Sequence, residues 1–356
     1  MKLTYFDKAY NFIEIFDTET GFHYTSGILT ENGKDSGVDP LMRSFPALMD
    51  IGIMGGCSSA GVCKVGCYQQ GKNTPKGHMS VDFFRKLMDE ASGKTFSVAL
   101  GGFGNPNEHP NFLEIIRYAR MKSIAPSYTT AGTNLTDNQV QITRRYCGAV
   151  AVSEHFQPYT LSAIQRFVDA GCITNIHYVV ANDTIDEAIR RLEENDFPKG
   201  IYAVIFLLYK PVGKGKVENC LKVMDPRIRR FYELIEAEHP FKCGLDSCHI
   251  PGVMNFTKNV LPESIVPCDA ARFSMYVTPD GFALPCSFDT NNRKYAVDIK
   301  EIGIQGAWES EAFERFRNHY KTRCSHCEIG KRINCLGGCG LMAEQINLCP
   351  DYSKGE

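Results

Sequence analysis

The sequence predicts an α/β protein in which a partial (β/α)6 barrel is followed by a small cysteine-rich domain. Three observations support this fold class. Short apolar runs alternate with amphipathic helical patterns from about residue 47 to residue 208. A turn-rich stretch at 210–216 (KPVGKGK) then ends the alternation. Finally, seven of the 15 cysteines fall within residues 268–356, where the regular patterns become short.

Composition excludes several other classes of protein. The 356 residues carry 39 Lys and Arg against 41 Asp and Glu, and a net charge of −2 argues against a dedicated nucleic-acid binder. The longest apolar run, 203–209, is far shorter than the roughly 20 residues that a membrane helix needs. The first residues lack an apolar signal core, so a cytoplasmic location is expected. Fifteen cysteines in a reducing compartment then suggest metal ligands or reactive thiols.

The barrel elements follow one another in a regular order. Residues 1–45 contain several Gly turn signals and predict a hairpin and a loop. The six candidate strands are 48–54, 96–100, 126–131, 148–153, 173–180 and 201–208. Two of the helices between them begin with capping-box patterns, Thr136 with Gln139 and Thr184 with Glu187. No dinucleotide-binding GxGxxG follows a strand, which favours a barrel over a Rossmann sheet and places functional loops at the carboxyl ends of the strands.

Changes in pattern along the chain suggest four parts. After the barrel, a helix is predicted with Asp225 as its N-cap and Pro226 at its first position. The four parts are an N-terminal extension (1–45), the barrel (46–215), a bridging region (216–267) and the cysteine-rich domain (268–356).

The first cysteine group lies directly after the first barrel strand. Cys57, Cys63 and Cys67 fall within eleven residues of a loop rich in glycine and serine, and glycines let a backbone wrap closely around a bulky inorganic group. Three thiolates leave one iron of a four-iron cluster open, and S-adenosylmethionine can chelate that iron, whereas closed structural sites use four ligands. A zinc site completed by a distant ligand such as His78, or unligated cysteines, are the alternatives.

This loop resembles that of the radical S-adenosylmethionine superfamily. The common spacing in that family is C-x3-C-x2-C, with an aromatic residue before the third cysteine. Here the spacing is C-x5-C-x3-C, Gly66 precedes the third cysteine, and the aromatic residue, Tyr68, follows it. The resemblance implies a partial TIM barrel, and a 5′-deoxyadenosyl radical made by reductive cleavage of S-adenosylmethionine.

A second resemblance lies at the end of the second strand. Gly101 and Gly102 resemble the family's Gly-Gly-Glu motif, but Phe103 stands where the glutamate would be, so backbone carbonyls or Asn105 would hold the methionine amine. The residues that the resemblance assigns to S-adenosylmethionine are Tyr68, Gly101, Gly102, Thr130 and Ser153. Thr130 and Ser153, which end strands three and four, could instead cap the segments that follow them.

The C-terminal cysteines resemble the SPASM domain of peptide-modifying radical enzymes. Their spacing is Cys268-x12-Gly281-x4-Cys286 and then Cys324-x2-Cys327-x7-Cys335-x3-Cys339-x9-Cys349, in which only the x7 gap departs from the family. The resemblance implies two auxiliary four-iron clusters. The outer cluster would be held by Cys324, Cys327, Cys335 and Cys349, and the inner one by Cys268, Cys286 and Cys339. Cys248 is the first choice for the fourth inner ligand and Cys243 the second, with an open iron as another possibility. A pair of zinc knuckles is the alternative.

Acid–base candidates are sparse. Asp289 follows the inner-cluster residue Cys286, near which relatives carry an acidic proton acceptor, and His155 lies just past Ser153. Asp280 also flanks Cys286, although with Gly281 it is equally a turn signal. The lysines of 210–216 could hold a carboxylate, but a solvated loop is the simpler interpretation.

Together these resemblances imply a radical S-adenosylmethionine enzyme with three [4Fe-4S] clusters. The implied substrate is a ribosomally made precursor peptide or a small protein, the implied reaction is an oxidative cross-link such as a thioether or carbon–carbon bond, and the implied electron donor is a flavodoxin or ferredoxin. Oxidation of a protein Ser or Cys, as in sulfatase maturation, peptide epimerisation and a non-peptide substrate stay open. From another class, the chain could be a zinc-stabilised binding module.

Overall fold

The computed structural model describes residues 1–27, 42–60, 66–74, 76–261, 265–319, 327, 335 and 337–352. Within these residues, no helix combines the length and the apolar character that crossing a membrane would require.

The N-terminal region contains three strands, one more than the predicted hairpin. They form an antiparallel sheet in the order β1 (Lys2–Asp7), β2 (Phe12–Asp17) and β3 (His23–Gly27). The sheet packs on the barrel through the ring of Phe16, which stacks on Phe96 with centroids 5.4 Å apart. Phe96 directly precedes a barrel strand, so the sheet covers the amino-terminal end of the barrel.

The predicted α/β fold class is confirmed by six parallel strands with helices between them. The strands are β4 (Leu48–Gly55), β5 (Ser97–Phe103), β6 (Ala125–Thr130), β7 (Ala149–Ser153), β8 (Thr174–Val180) and β9 (Ala203–Leu208). The helices that follow them are α1 (Val81–Ala91), α2 (Phe112–Met121), α3 (Asp137–Tyr146), α4 (Pro158–Asp169), α5 (Ile185–Glu194) and α6 (Pro226–Ile235).

Two further parallel strands extend this sheet, and the sequence pattern does not predict them. β10 (Lys242–Leu245) pairs with β9, and β11 (Ser274–Val277) pairs with the other edge strand, β4. Beyond β11 the sheet continues antiparallel through β12 (Phe282–Leu284) and β13 (Val297–Asp298). The barrel and the cysteine-rich region therefore share one ten-stranded sheet, and the bridging region contributes a strand to it. The four-part division of the chain stays a prediction.

Helices complete the C-terminal part. They are α7 (Ile250–Phe256), α8 (Ile299–Trp308), α9 (Glu311–His319) and a short α-helix at Ala343–Ile346. α8 is interrupted at Gly303, whose φ is +67°. The carboxylate of Glu90 in α1 accepts the backbone N–H groups of Ile304 and Gln305, both at 2.9 Å, and so supplies partners for the amides that the break leaves open.

Local signals at the helix starts were partly right. The capping box at Thr136 and Gln139 is present in both directions, and the Asp225 side chain caps α6. The box predicted at Thr184 and Glu187 is wrong. The Thr184 hydroxyl instead accepts the N–H of Ala181 and donates to the backbone of the preceding strand end, so it stabilises the loop before α5.

Alternation along the strands separates an apolar core from a polar barrel interior. In β4, Met49, Ile51 and Ile53 are fully buried in the core against the helices. Asp50, between them, faces the other way, as do Asn175 and His177 of β8. Polar side chains therefore line the space inside the barrel.

Candidate active site

The loop that carries the first cysteine group leaves the carboxyl end of β4 and packs backbone against backbone. A Cβ added to Gly104 would lie 2.0 Å from the Gly56 carbonyl oxygen and 3.3 Å from the Cys57 Cα, and the φ of Gly104 is +136°. Only glycine allows such an approach at such a φ. Cys57 and Cys67 are partly buried at this end of the barrel, while Cys63 lies outside the described residues.

A polar network anchors this loop to the loops after β5 and β6. The Ser58 hydroxyl donates to the Glu108 carboxylate at 2.7–2.8 Å. The Asn105 side chain donates to the Thr133 hydroxyl and accepts the Ala131 N–H, both at 2.8 Å. Asn105 is thus occupied within the protein. The Glu108 carboxylate, which accepts the Ser58 hydroxyl, was not predicted from the sequence. Its position a few residues after the glycines of β5 is the sequence feature that could have indicated it.

The residues predicted to contact S-adenosylmethionine differ in where they point. A Cβ added to Gly101 would meet nothing within 4 Å, so that side of β5 is open to a ligand. Ser153 pairs in register with His177, which faces the barrel interior and whose pKa burial lowers to about 4. Thr130 lies on the opposite face, where its buried hydroxyl accepts the Gly132 N–H at 3.0 Å. The Thr130 hydroxyl therefore stabilises the turn after β6, and its role in binding S-adenosylmethionine stays a prediction.

Tyr68 connects the first cysteine loop to the C-terminal region. Its ring lies 4.6 Å from that of Phe288, two residues after Cys286, and burial raises the pKa of its hydroxyl to about 12. The loop of the first cysteine group and the loop of Cys286 therefore meet through an aromatic pair.

The 210–216 loop is not simply solvated, which corrects the interpretation made from the sequence. The N–H of Lys214 donates to the Cys67 carbonyl at 3.1 Å. A Cβ on Gly213, whose φ is +65°, would lie 2.5 Å from the same carbonyl oxygen. Lys210 is buried and ion-paired with Asp246. The loop after β9 thus supports the loop that carries Cys67.

Four cysteines from distant parts of the sequence come together beside this loop. The thiols of Cys248 and Cys339 are within hydrogen-bonding reach of each other, and Cys286 interacts electrostatically with Cys268 and Cys248. Burial, helped by the Cys268 thiol, raises the pKa of Cys286, so an ion that binds here must displace protons. A set of four thiols, of which Cys339 is buried and the other three are partly buried, has the donor chemistry of an iron–sulfur cluster.

The other predicted ligands are only partly described. Within the described residues no three His, Cys, Asp or Glu side chains are grouped to hold a single metal ion. Cys327, Cys335 and Cys349 are partly buried, whereas Cys324 lies outside the described residues. Among the zinc alternatives, the Nδ1 atom of His78 accepts the Gly55 N–H at 3.2 Å. The ligand sets stay predictions.

The two acid–base candidates have local partners. Both carboxylate oxygens of buried Asp289 accept backbone N–H groups, from Lys294 at 3.1 Å and Tyr295 at 2.9 Å, so this side chain shapes its own loop. His155 contacts the Tyr159 hydroxyl at 3.1 Å through Nδ1, and burial lowers its pKa. Proton transfer by either residue stays a prediction.

Comparison with known proteins identifies the class. The family model SPASM, an iron–sulfur cluster-binding domain, matches residues 268–328. The fold is similar to that of Streptococcus suis SuiB bound to the precursor peptide SuiA, with a TM-score of 0.67, 18% identity and coverage of 87% of this chain and 77% of that one. It is also similar to anSMEcpe with bound AdoMet, with a TM-score of 0.61, 17% identity and coverage of 87% and 92%. The chain belongs to the radical S-adenosylmethionine enzymes that carry a C-terminal SPASM domain.

Within that family, one curated relative is similar along most of its length. It is a tungsten-containing aldehyde ferredoxin oxidoreductase cofactor-modifying protein of Pyrococcus furiosus, 31% identical over 347 aligned residues that cover 82% of this chain and 94% of the relative. The predicted class of enzyme is confirmed, and with it the use of S-adenosylmethionine and iron–sulfur clusters.

Proposed function

We propose that this enzyme uses three four-iron clusters and S-adenosylmethionine to oxidise a substrate inside the barrel. The observation that carries the proposal is the contact of Tyr68 with Phe288, because it joins the first cysteine loop to the group of Cys248, Cys268, Cys286 and Cys339. When bound, these groups supply a 5′-deoxyadenosyl radical at one side of the barrel mouth and an acceptor for one electron at the other.

The chain's own residues would position the substrate between these two sites. β5 presents an open side at Gly101, and the barrel interior carries polar side chains at Asp50, Asn175 and His177. Because burial lowers the pKa of His177 to about 4, its imidazole is neutral near pH 7 and can accept a hydrogen bond. The rings of Tyr68 and Phe288 would place apolar surface between the two sites.

The substrate that we propose is a peptide or small protein. The net reaction would remove two hydrogens, one taken by the radical and one lost as a proton, with the second electron passing to the inner cluster as a thioether or carbon–carbon bond forms. The similarity in fold to a SuiB structure that contains a precursor peptide supports this choice. Oxidation of a protein Ser or Cys obeys the same electron balance.

A second candidate is modification of a cofactor. The relative from Pyrococcus furiosus is described as modifying the cofactor of a tungsten-containing aldehyde ferredoxin oxidoreductase, and it is similar to this chain over most of its length. The two candidates are separated by offering the reduced enzyme either the peptide encoded in a neighbouring reading frame or a tungsten-containing aldehyde ferredoxin oxidoreductase. Mass spectrometry of each would show which one is changed, and a loss of two hydrogens from the peptide supports the cross-link.

The class of reaction is tested by metal content and by 5′-deoxyadenosine. Anaerobically prepared protein should hold about 12 irons and release 5′-deoxyadenosine when reduced. Replacing Cys57, Cys63 and Cys67 with alanine should remove about four irons and all 5′-deoxyadenosine. The matched control replaces Cys147, Cys172 and Cys220, which have no ligand spacing, and should retain both. Stoichiometric zinc with little iron would contradict the proposal.

A further inference from the structure

The ion pair of Lys210 and Asp246 lies beside the cysteines proposed to hold the inner cluster, and the proposed reaction gives it no role. Lys210 follows β9 and Asp246 follows β10, and their side chains are 2% and 20% exposed. The position of Asp246 is fixed by backbone contacts, since its carboxylate accepts the Leu208 N–H at 3.3 Å and its own N–H donates to the Phe206 carbonyl at 3.1 Å. The pair is therefore held rigidly at the carboxyl ends of two adjacent strands.

The positive end of this pair points toward the cysteines. The Lys210 ammonium lies 4.7 Å from the centre of the Phe288 ring and interacts with the sulfurs of Cys248, Cys339 and Cys286. The Asp246 carboxylate is turned onto the Leu208 N–H. The pair is neutral in sum, but it is the ammonium that lies against Phe288, in the loop of Cys286.

We propose that Lys210 and Asp246 form a fixed dipole that raises the reduction potential of the inner auxiliary cluster. The inference rests on the proposed function, because it requires a cluster on Cys248, Cys268, Cys286 and Cys339. Reduction adds one negative charge to the cluster, and a cation held nearby in a medium of low dielectric stabilises the reduced form more than the oxidised form. The electron comes from the substrate radical, and Lys210 keeps its proton throughout. The dipole makes the inner cluster a better electron acceptor.

The two charges of the pair predict shifts of opposite sign. Lys210→Met removes the cation and should lower the potential of the inner cluster, whereas Asp246→Asn removes the opposing anion and should raise it. The double variant should lie between the two single variants, and Lys210→Arg should stay close to the parent. If Lys210 and Asp246 only held together the segments after β9 and β10, the two single variants would not shift the potential in opposite directions.

The experiment is a redox titration followed by electron paramagnetic resonance on protein that carries its auxiliary clusters. The parent is the variant with Cys57, Cys63 and Cys67 replaced by alanine, so that the first cluster does not contribute to the spectrum. Lys300→Met is the matched control, since Lys300 pairs with Asp298 at 3.1 Å with half-exposed side chains and should cause no shift.

The outcomes separate this inference from the function on which it rests. Equal potentials in all variants, or shifts of the same sign for Lys210→Met and Asp246→Asn, would overturn the dipole while leaving the proposed function intact. A parent that holds no iron would overturn both. If Lys210→Met does not fold, the inner-cluster potentials of Asp246→Asn and Lys210→Arg are compared instead. A higher potential in Asp246→Asn alone supports the dipole, and equal potentials in the two variants refute it.

Discussion

The two ends of the barrel are held together by different kinds of contact. At the carboxyl ends of the strands, backbone packs on backbone at Gly104 and Gly213, and buried thiols gather beside them. At the amino ends, side chains hold the N-terminal sheet, through the Glu14–Arg43 ion pair at 2.6 Å and the Asp7 carboxylate that accepts the Ser44 N–H at 2.7 Å. Small changes at the carboxyl ends should therefore disturb chemistry, while changes at the amino ends should disturb stability.

The largest effect is expected from Gly104→Ala. The new Cβ would lie 2.0 Å from the Gly56 carbonyl oxygen at a φ that disfavours alanine, so the loop bearing Cys57 must move. Misplacement by about 1 Å can slow an enzyme by about 100-fold, and we expect at least that loss in 5′-deoxyadenosine formation. Iron analysis should show the first cluster depleted and the auxiliary clusters retained.

Gly77→Ala is the control for this prediction. A Cβ at Gly77 would meet nothing within 4 Å, so iron content and rate should match the wild type. If Gly104→Ala also keeps its iron and its rate, the close approach of the backbones is not what shapes the loop.

The sequence predicted the barrel well because six strands of five or more residues alternate regularly with amphipathic helices. β10 was missed because its four residues, KCGL, show no alternation of polar and apolar side chains. Its pairing with β9 also joins residues that are far apart in the chain, which no local pattern reveals. β11 is a mostly apolar run before the Asp280–Gly281 turn, but its parallel pairing with the distant β4 has no local signal.

The site residues that cysteine spacing identifies could be predicted, whereas the direction in which a strand residue points could not. Cysteine spacing singled out Cys339, and Cys248 was the first choice for the fourth inner ligand; the structure brings these two thiols side by side. The face on which Thr130 lies depends on strand register, which one sequence does not fix. Lys210 and Asp246 meet only because β9 and β10 are neighbours, so their pairing could not be read from either local segment.

The amino end of the barrel should respond to Arg43→Met mainly through stability. Both side chains of the Glu14–Arg43 pair are fully buried, and the guanidinium also lies 3.8 Å from the centre of the Tyr5 ring. Replacing Arg43 leaves the buried Glu14 carboxylate with the His23 imidazole, at 3.0 Å, but without a cation of fixed charge, and breaking a buried pair in this way typically destabilises by about 3–5 kcal/mol. Anaerobic denaturant unfolding should show that loss, while the rate of 5′-deoxyadenosine formation per folded molecule stays unchanged.

Two comparison variants sharpen this prediction. Arg315→Met breaks an exposed pair with Glu311 and should change the unfolding free energy by less than about 1 kcal/mol. Replacing Glu14 and Arg43 together with Gln and Met should recover part of the stability, since no unpaired charge is left. A rate that falls in step with stability in Arg43→Met would show that the amino end shapes the active site after all.

The barrel interior between these ends contains a carboxyl group that links stability to pH. Asp50 faces inward from β4, opposite Tyr276 in the register, and burial raises its pKa to about 7, with a further contribution from Asp269. In the unfolded chain the same group titrates near 3.8. Between these two values the folded protein holds a proton that the unfolded chain has lost, so stability should fall as pH rises through this window and level off above pH 7.

Asp50→Asn should remove this dependence. Because each pH unit within the window corresponds to about 1.4 kcal/mol, the wild type should lose roughly 3 kcal/mol relative to the variant between pH 5 and pH 7, and nothing further above it. Unfolding free energies of the two proteins across this range provide the measurement. Parallel curves would mean that Asp50 is ionised at all these pH values, which requires water or a cation inside the barrel to stabilise it. Water or a cation would then reach the barrel interior, so burial would restrict the bound substrate less than the contrast between the two ends implies.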